Sequence, residues 1–493
     1  MLLGLAVSAG LVIGPFALVF APAVSNWSVY RLYVLFLGLF IGVVGILSGN
    51  LRRMLLLCLV FVVPLVNIAF APFDKSIPHH SGGAQAGIIL FLHDFPFMVL
   101  IVFGIVDLFI RRTSILFSII DLMALSLIGW SIITIYHSQD VVLSIAEIIR
   151  ISKFYLLSRV IAGNVTTKLD VLLVFCALLA GLVFQSLVGS LQYVGIDVMG
   201  LGDTAYGGGD TPEDTVTRIV GTFGWPNTIG AYLAAIITIG MIIWFCNALG
   251  KWSNFIFVLS AFGILPLILT FSRGSWVAMA GGVAAGLFMA YLRGWIRINI
   301  VPKLVVMGFA AIMVALAFAD SILARFSENT IDVRFQLNDV AMNMVHANPF
   351  LGVGINTFTV VMRDYDPNGV WFHFFEPVHN AFLLIAAETG LIGISVFMLL
   401  LFTAMWEGFQ AARIDDRFLS AFAIGLVAAL VSIAYSNIGD VHLKTEGIFV
   451  FFWMFIGLIV AIRRMQLAEL AARFPVVVPA GRLKRNHIVV QQR

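Results

Sequence analysis

Apolar residues fall in long blocks separated by short polar segments. A helix needs about 20 mostly apolar residues to cross a hydrocarbon core. Fourteen stretches meet or approach that length, near 2–21, 32–49, 54–72, 88–110, 115–137, 145–162, 169–193, 228–248, 254–271, 274–292, 302–319, 379–404, 418–436 and 446–463. The pattern predicts an all-α, polytopic membrane helix bundle of about 12–14 transmembrane helices. Leu2 to Phe20 has the length of a signal-peptide core, and Ala21-Pro22-Ala23 resembles a cleavage site, but no basic segment precedes it, so it is read as a span.

Two polar segments on one side are long, about 194–227 and 320–378. Long ordered loops in a compact protein are more often functional than idle. Within the second, Phe335 to His346 has the spacing of a short amphipathic helix, ended by Asn348-Pro349 and followed by a turn spaced by Gly352 and Gly354.

Composition agrees with the pattern: of 493 residues, 61% are hydrophobic and 11% charged, which excludes an ordinary soluble enzyme and a disordered chain. A formal charge of +3 is too small to attract a polyanion by itself, and no nucleic-acid partner is expected. The distribution of charge matters more. With the spans alternating, 18 of the 29 Lys and Arg fall on one side, including Arg52, Arg53, Arg111, Arg112, Arg413, Arg417 and the tail from Arg463 onward. By the positive-inside rule that side is cytoplasmic and holds both termini. The tail is also expected to meet the lipid surface. Cys58, Cys176 and Cys246 lie in apolar runs and imply neither a disulfide framework nor a thiolate metal site.

The opposite, outer face holds the unusual residues. Arg273, in the short turn Ser272-Arg273-Gly274 between two apolar helices, must bring its guanidinium to the membrane surface. Arg218 precedes Gly221-Thr222-Phe223-Gly224-Trp225-Pro226-Asn227, where Pro226 suits the first turn of a helix whose N–H groups favour an anion. Arg334 opens the amphipathic loop helix, and His379-Asn380 stands where the long loop re-enters the membrane. Arginine at this depth matches phosphate or carboxylate geometry, although each could also snorkel to headgroups or pair with a loop acid.

Asp364-Tyr365-Asp366 has the acid–x–acid form of a metal site but is followed by the turn Pro367-Asn368-Gly369, and a solvated turn explains it. His79-His80 reads as a surface pair. His93-Asp94 and Glu147, Arg150 and Lys153 are ionisable at membrane depth, where such groups face a bundle interior. Glu147 and Arg150, three apart, can pair along one helix face.

Three stretches together resemble the O-antigen ligase and Wzy-type polymerase family: Thr270-Phe271-Ser272-Arg273-Gly274-Ser275-Trp276; Asn348-Pro349-Phe350-Leu351-Gly352-Val353-Gly354; and His379-Asn380-Ala381-Phe382-Leu383 through Glu388-Thr389-Gly390-Leu391-Ile392-Gly393. Arg218 to Leu233 is similar to that family's preceding arginine–glycine–asparagine stretch. The resemblance covers roughly 215–400 and divides the chain into an N-terminal bundle (1–214), a ligase/polymerase-like region (215–404) with its periplasmic loop (320–378), C-terminal helices (405–464) and a basic tail (465–493).

The resemblance implies a GT-C type glycosyltransferase of the bacterial inner membrane, working on the periplasmic side. Its donor would be a glycan on undecaprenyl diphosphate, and its acceptor lipid A–core or a second lipid-linked glycan. It implies an inverting, metal-independent reaction with no cofactor. Arg273, Arg218 and Arg334 would hold the diphosphate, His379 would serve as base, and Asn380 and Glu388 would support them. Glu388 lies nine residues beyond His379, about 13 Å along a straight helix and on its other face, so it is expected to answer a polar partner on another helix. Gly390 and Gly393 are expected to let helices pack closely. The competing reading is a lipid-glycan flippase or other transporter, which would line a path across the whole bilayer with charge.

Overall fold

The computed structural model describes residues 50–66, 69–74, 87–110, 117–196, 218–296 and 330–473. The expected spans near 2–21, 32–49 and 302–319, the His79-His80 pair and the acids between 197 and 214 lie outside these residues.

The described elements run α1 (Leu51–Val62), β1 (Ala69–Asp74), β2 (Gly87–Phe91), α2 (Asp94–Phe109), α3 (Ile119–Thr134), α4 (Val141–Asn164), α5 (Lys168–Tyr193), α6 (Pro226–Phe245), α7 (Ser253–Phe262), α8 (Ile264–Leu269), α9 (Arg273–Leu292), α10 (Thr330–Ala347), α11 (Phe358–Val361), α12 (Ala381–Ala411), α13 (Arg417–Ser436) and α14 (Glu446–Arg473). The protein is an all-α, polytopic helix bundle, and eight spans among the described residues are long and apolar enough to cross a membrane.

Helix starts follow the polar residues beside the apolar blocks. Asn50, Asp140, Asn380 and Asp416 each accept first-turn N–H groups of the helix that follows. Ser118 with Asp121, and Thr167 with Asp170, close reciprocal capping boxes at α3 and α5.

Two expected spans are shorter than their apolar length. The stretch 54–72 is helical only as far as Val62, and 88–110 only from Asp94. Between them β1 and β2 pair antiparallel, with a register irregularity between Phe70 and Phe73. Proline accounts for the first departure and suits the strand that follows it. Pro64 lacks the N–H that would continue α1, and Pro72 stands inside the register irregularity, where a ladder donor is dispensable. At the other end of the chain, α14 continues ten residues past the expected boundary at 463, to Arg473.

One continuous apolar core runs from Met54 to Ile462. At its centre, α6 and most of α14 are buried on all sides. Peripheral α3 and α9 turn Leu122, Ile132, Phe288 and Tyr291 outward, as lipid-facing helices do. A second, smaller core lies under the long loop. There α10 buries Leu337, Val340, Ala341 and Met344, the i, i+3, i+4, i+7 stripe of an amphipathic helix, against Phe358 and Leu384.

Helix α12 is broken at Gly390, whose φ of 72° and ψ of 178° lie outside the helical region. The break frees two carbonyls and an N–H that the segment 349–354 uses. Val353 donates to Ala387, Gly354 donates to Glu388, and Leu391 donates to Pro349. A Cβ on Gly390 would overlap the Phe350 carbonyl, and one on Gly352 the Glu388 carbonyl. Close backbone approach, with positive φ at both positions, therefore requires glycine. The expected role of Gly390 in helix–helix contact is corrected accordingly: it receives the loop. Gly393, facing Trp130 of α3, does serve helix contact.

Candidate functional site

The long loop, the turn before α9 and the connection 437–445 between α13 and α14 meet at one end of the bundle. The turn comes first in the chain. Phe271 takes a left-handed φ of 48°, which costs a non-glycine residue energy and is typical of functional turns. Its neighbour Ser272 leads into Arg273, the half-buried first residue of α9. The Thr270 carbonyl, three residues before Arg273, accepts from Arg218 Nε at 2.8 Å. Arg218 and the Arg273 turn are thus joined directly.

The contacts continue from Arg218. Its Nη2 donates to Asn227 Oδ1 at 2.8 Å, and Asn227 Nδ2 donates to Asp440 Oδ2 at 2.8 Å. Asn227 belongs to the first turn of α6, where Pro226 occupies the opening position and the N-cap residue Trp225 offers no capping side chain. Asp440 faces His442 at 3.9 Å and lies in the electrostatic field of His379. Arg334 Nη1 donates to the Gly439 carbonyl at 3.2 Å, tying the loop helix α10 to the same connection. Ala381 N donates to the carbonyls of Asn437 and Asp440, so the start of α12 docks there as well.

His379 is half-buried just before α12. Its Nε2 lies 3.5 Å from Glu376 Oε2, and its Nδ1 is buried with no hydrogen-bond partner among the described residues. Phe374 places its ring centroid 6.0 Å from the imidazole. Asn380 is the N-cap of α12, accepting from Phe382 N and Leu383 N at 3.1 Å each.

Burial alone would raise the Asp440 carboxyl. Against it, His442, His379, the Val441 N–H and the Asn227 amide hold the group below the usual carboxylate range. Burial lowers the His442 imidazole, and His379 and Arg334 add to that, while Asp440 opposes it.

Glu388 stands apart from His379, as expected, and answers Lys444 at 2.8 Å together with the Phe358 N–H at 3.4 Å. The expected Glu147–Arg150 pair forms along α4, with Nε–Oε2 at 2.8 Å and Nη2–Oε1 at 2.7 Å. Asp366 accepts from Asn368 N and Trp371 N, so the acid–x–acid segment is a turn.

Sequence reasoning passed over Asp440, His442 and Lys444. Their signal was present: an acid, an imidazole and an ammonium at alternate positions of a nine-residue connection between two spans. One group of three among the described residues, His93, Asp94 and Glu446, brings metal-type ligand atoms within 4.8 Å of one another. It contains none of the expected site residues, and Lys153 already places its ammonium 2.6 Å from Glu446 and 3.4 Å from Asp94.

No curated protein matches the chain. The family model described as O-antigen ligase matches residues 255–398, from α7 into α12, a stretch that carries Arg273, Arg334, His379 and Glu388, while Arg218 precedes it. The chain is a multi-pass membrane protein, and its residues 255–398 are similar to the O-antigen ligase family.

Proposed function

We propose that the protein transfers a glycan from an undecaprenyl-diphosphate carrier to an acceptor hydroxyl on the periplasmic side of the inner membrane, both termini being cytoplasmic. The observation that carries this reading is the convergence of His379, Arg334, Asp440 and His442 at the end of the bundle that Arg218 and Asn227 connect to the Arg273 turn. The similarity of residues 255–398 to the O-antigen ligase family supports the enzyme class, a membrane glycosyltransferase of the O-antigen ligase and polymerase type. The region 215–404 would form the catalytic unit, completed by the connection 437–445.

The acceptor oxygen attacks the anomeric carbon from the face opposite the diphosphate. Its proton passes to His379, the anomeric C–O bond breaks with inversion, and prenyl diphosphate departs. Negative charge grows on the departing group, so its stabilisation is the main catalytic contribution. Arg273 supplies it at the start of α9, where the helix N-terminus also favours an anion. Arg218 adds charge from beside the same turn, and Arg334 from α10. His379 would receive the proton at Nδ1, with Nε2 directed to Glu376. No step requires a metal.

The acceptor would lie on the aromatic segment of the loop. Trp371 and Phe372 pack with centroids 4.0 Å apart, Phe372 is 68% exposed, and Arg363 covers Trp371 at 5.0 Å. Apolar sugar faces stack on such rings.

The test is a reconstituted assay with purified protein, undecaprenyl-diphosphate glycan and excess EDTA, run with and without lipid A–core. Transfer to lipid A–core identifies a ligase, and longer lipid-linked glycans without it identify a polymerase. Silence in both, with metal-supplemented controls and other donor glycans also silent, would return the flippase reading.

A further inference from the structure

The connection that carries Asp440 and His442 is held by an unusual device. Lys444 sends its ammonium inward to Glu388 Oε2 at 2.8 Å and Glu147 Oε1 at 3.4 Å. Glu147 is also clasped by Arg150, whose Nη2 reaches the Leu443 carbonyl at 3.3 Å and whose guanidinium lies 4.5 Å from the Phe449 ring. All four charged side chains are at most 9% exposed, and their charges cancel. Two residues on, Glu446 meets Lys153 at 2.6 Å, with His93 at 3.5 Å. Thr445 is therefore flanked by two buried ion clusters, one reaching α4 and α12, the other α4 and the start of α2.

Burying an ion pair gives little net stability, because desolvation consumes most of the Coulomb gain. Four such groups in one place need another reason, and fixing geometry is the best-attested one. What this cluster fixes is specific. Glu388 sits two residues before the α12 break, where the long loop docks, and Lys444 lies near the end of the connection that receives Asn227, Arg334 and Ala381.

We propose that Lys444 is a positioning residue for glycan transfer: by bridging Glu388 and Glu147 it holds Asp440 and His442 in register with His379. This rests on the glycosyltransferase reading, in which Asp440 and His442 shape the surroundings of the base. A misplacement near 1 Å at such a site costs about a hundredfold in rate.

The experiment compares wild type, Lys444→Met, Lys444→Arg and the double variant Lys444→Met/Glu388→Gln. The double variant removes one charge of each sign, keeps an acceptor for the Phe358 N–H and leaves Glu147 with Arg150, so no unpaired charge remains buried. Three properties are read: kcat, the donor KM, and hydrogen-exchange protection of residues 437–445. The double variant is expected to melt near wild type, lose about a hundredfold in kcat at unchanged donor KM and lose protection in 437–445. Lys444→Arg should recover most of the rate. A double variant that is folded, protected and turning over at the wild-type rate overturns the proposal. So does lost activity with protection unchanged. If wild type itself transfers nothing, the functional reading fails separately, and protection in 437–445 still decides whether Lys444 clamps the connection.

Discussion

The two ends of the bundle use their charged residues in opposite ways. At the basic end, arginines act as pegs near the surface. Arg293 donates to the carbonyls of Ala412, Arg413 and Ile414, and Arg417 to that of Cys246. Lys168 meets Asp416 in the open, and Arg463 meets Glu407 half-buried. These contacts join helix ends that already lie side by side. At the other end, charges turn further inward and join into networks, as Arg218, Asn227 and Asp440 do, or Glu388, Lys444, Glu147 and Arg150. Exposed pairs are weak and easily replaced, whereas buried ones incur desolvation and persist where geometry must be fixed. The difference supports the proposal that places glycan transfer at the second end.

The comparison can be broken by substitution. His379→Ala is expected to slow transfer by about 10²–10⁴-fold with donor binding nearly intact. A collapse of donor binding together with turnover would make His379 a ligand-binding or structural residue. Arg273→Ala should cost about 10²–10³-fold or more in kcat in a protein that still folds and inserts. Wild-type-like turnover there would remove its role at the diphosphate.

Acid should sharpen the contrast between the ends. His442 and Asp440 are both held below their ordinary values of 6.5 and 3.8, so the stability they contribute is complete above those values and drains away as pH falls through the lowered ones. Burial alone would lower the Lys444 ammonium, but Glu147 and Glu388 raise it, so its contribution is present below 10.5 and lost only in stronger alkali. Hydrogen exchange in 437–445 should therefore accelerate below about pH 6.5 while the basic end stays protected. Equal acceleration at both ends would refute this.

Smaller effects are expected away from the charges. Gly390→Ala should destabilise by about 1–3 kcal/mol through its positive φ, with further cost from the overlap with Phe350, read as a lower melting temperature. Lys168→Ala, at the basic end, should change stability by less than about 1 kcal/mol and leave transfer untouched. A loss of activity there would erase the distinction between the ends.

The sequence by itself determined the helices and most of their ends, because apolar length and polar caps are local properties. Ser118 with Asp121 and Thr167 with Asp170 are legible within four residues, and the stripe Leu337, Val340, Ala341 and Met344 within eight. It also singled out Arg218, Arg273, Arg334, His379 and Glu388, since ionisable residues beside apolar blocks stand out by composition. Only the tertiary structure decided what those residues face. Asp440 and Asn227 are 213 positions apart, Lys444 and Glu147 297, and no local pattern joins them. Breaks in otherwise apolar runs were equally hidden. Whether Pro64 ends a span, or Gly390 interrupts one to receive a loop, depends on which groups arrive to satisfy the exposed backbone, the Thr222 hydroxyl and Gln185 amide at Pro64 and the 349–354 backbone beside Gly390, and these come from elsewhere in the chain.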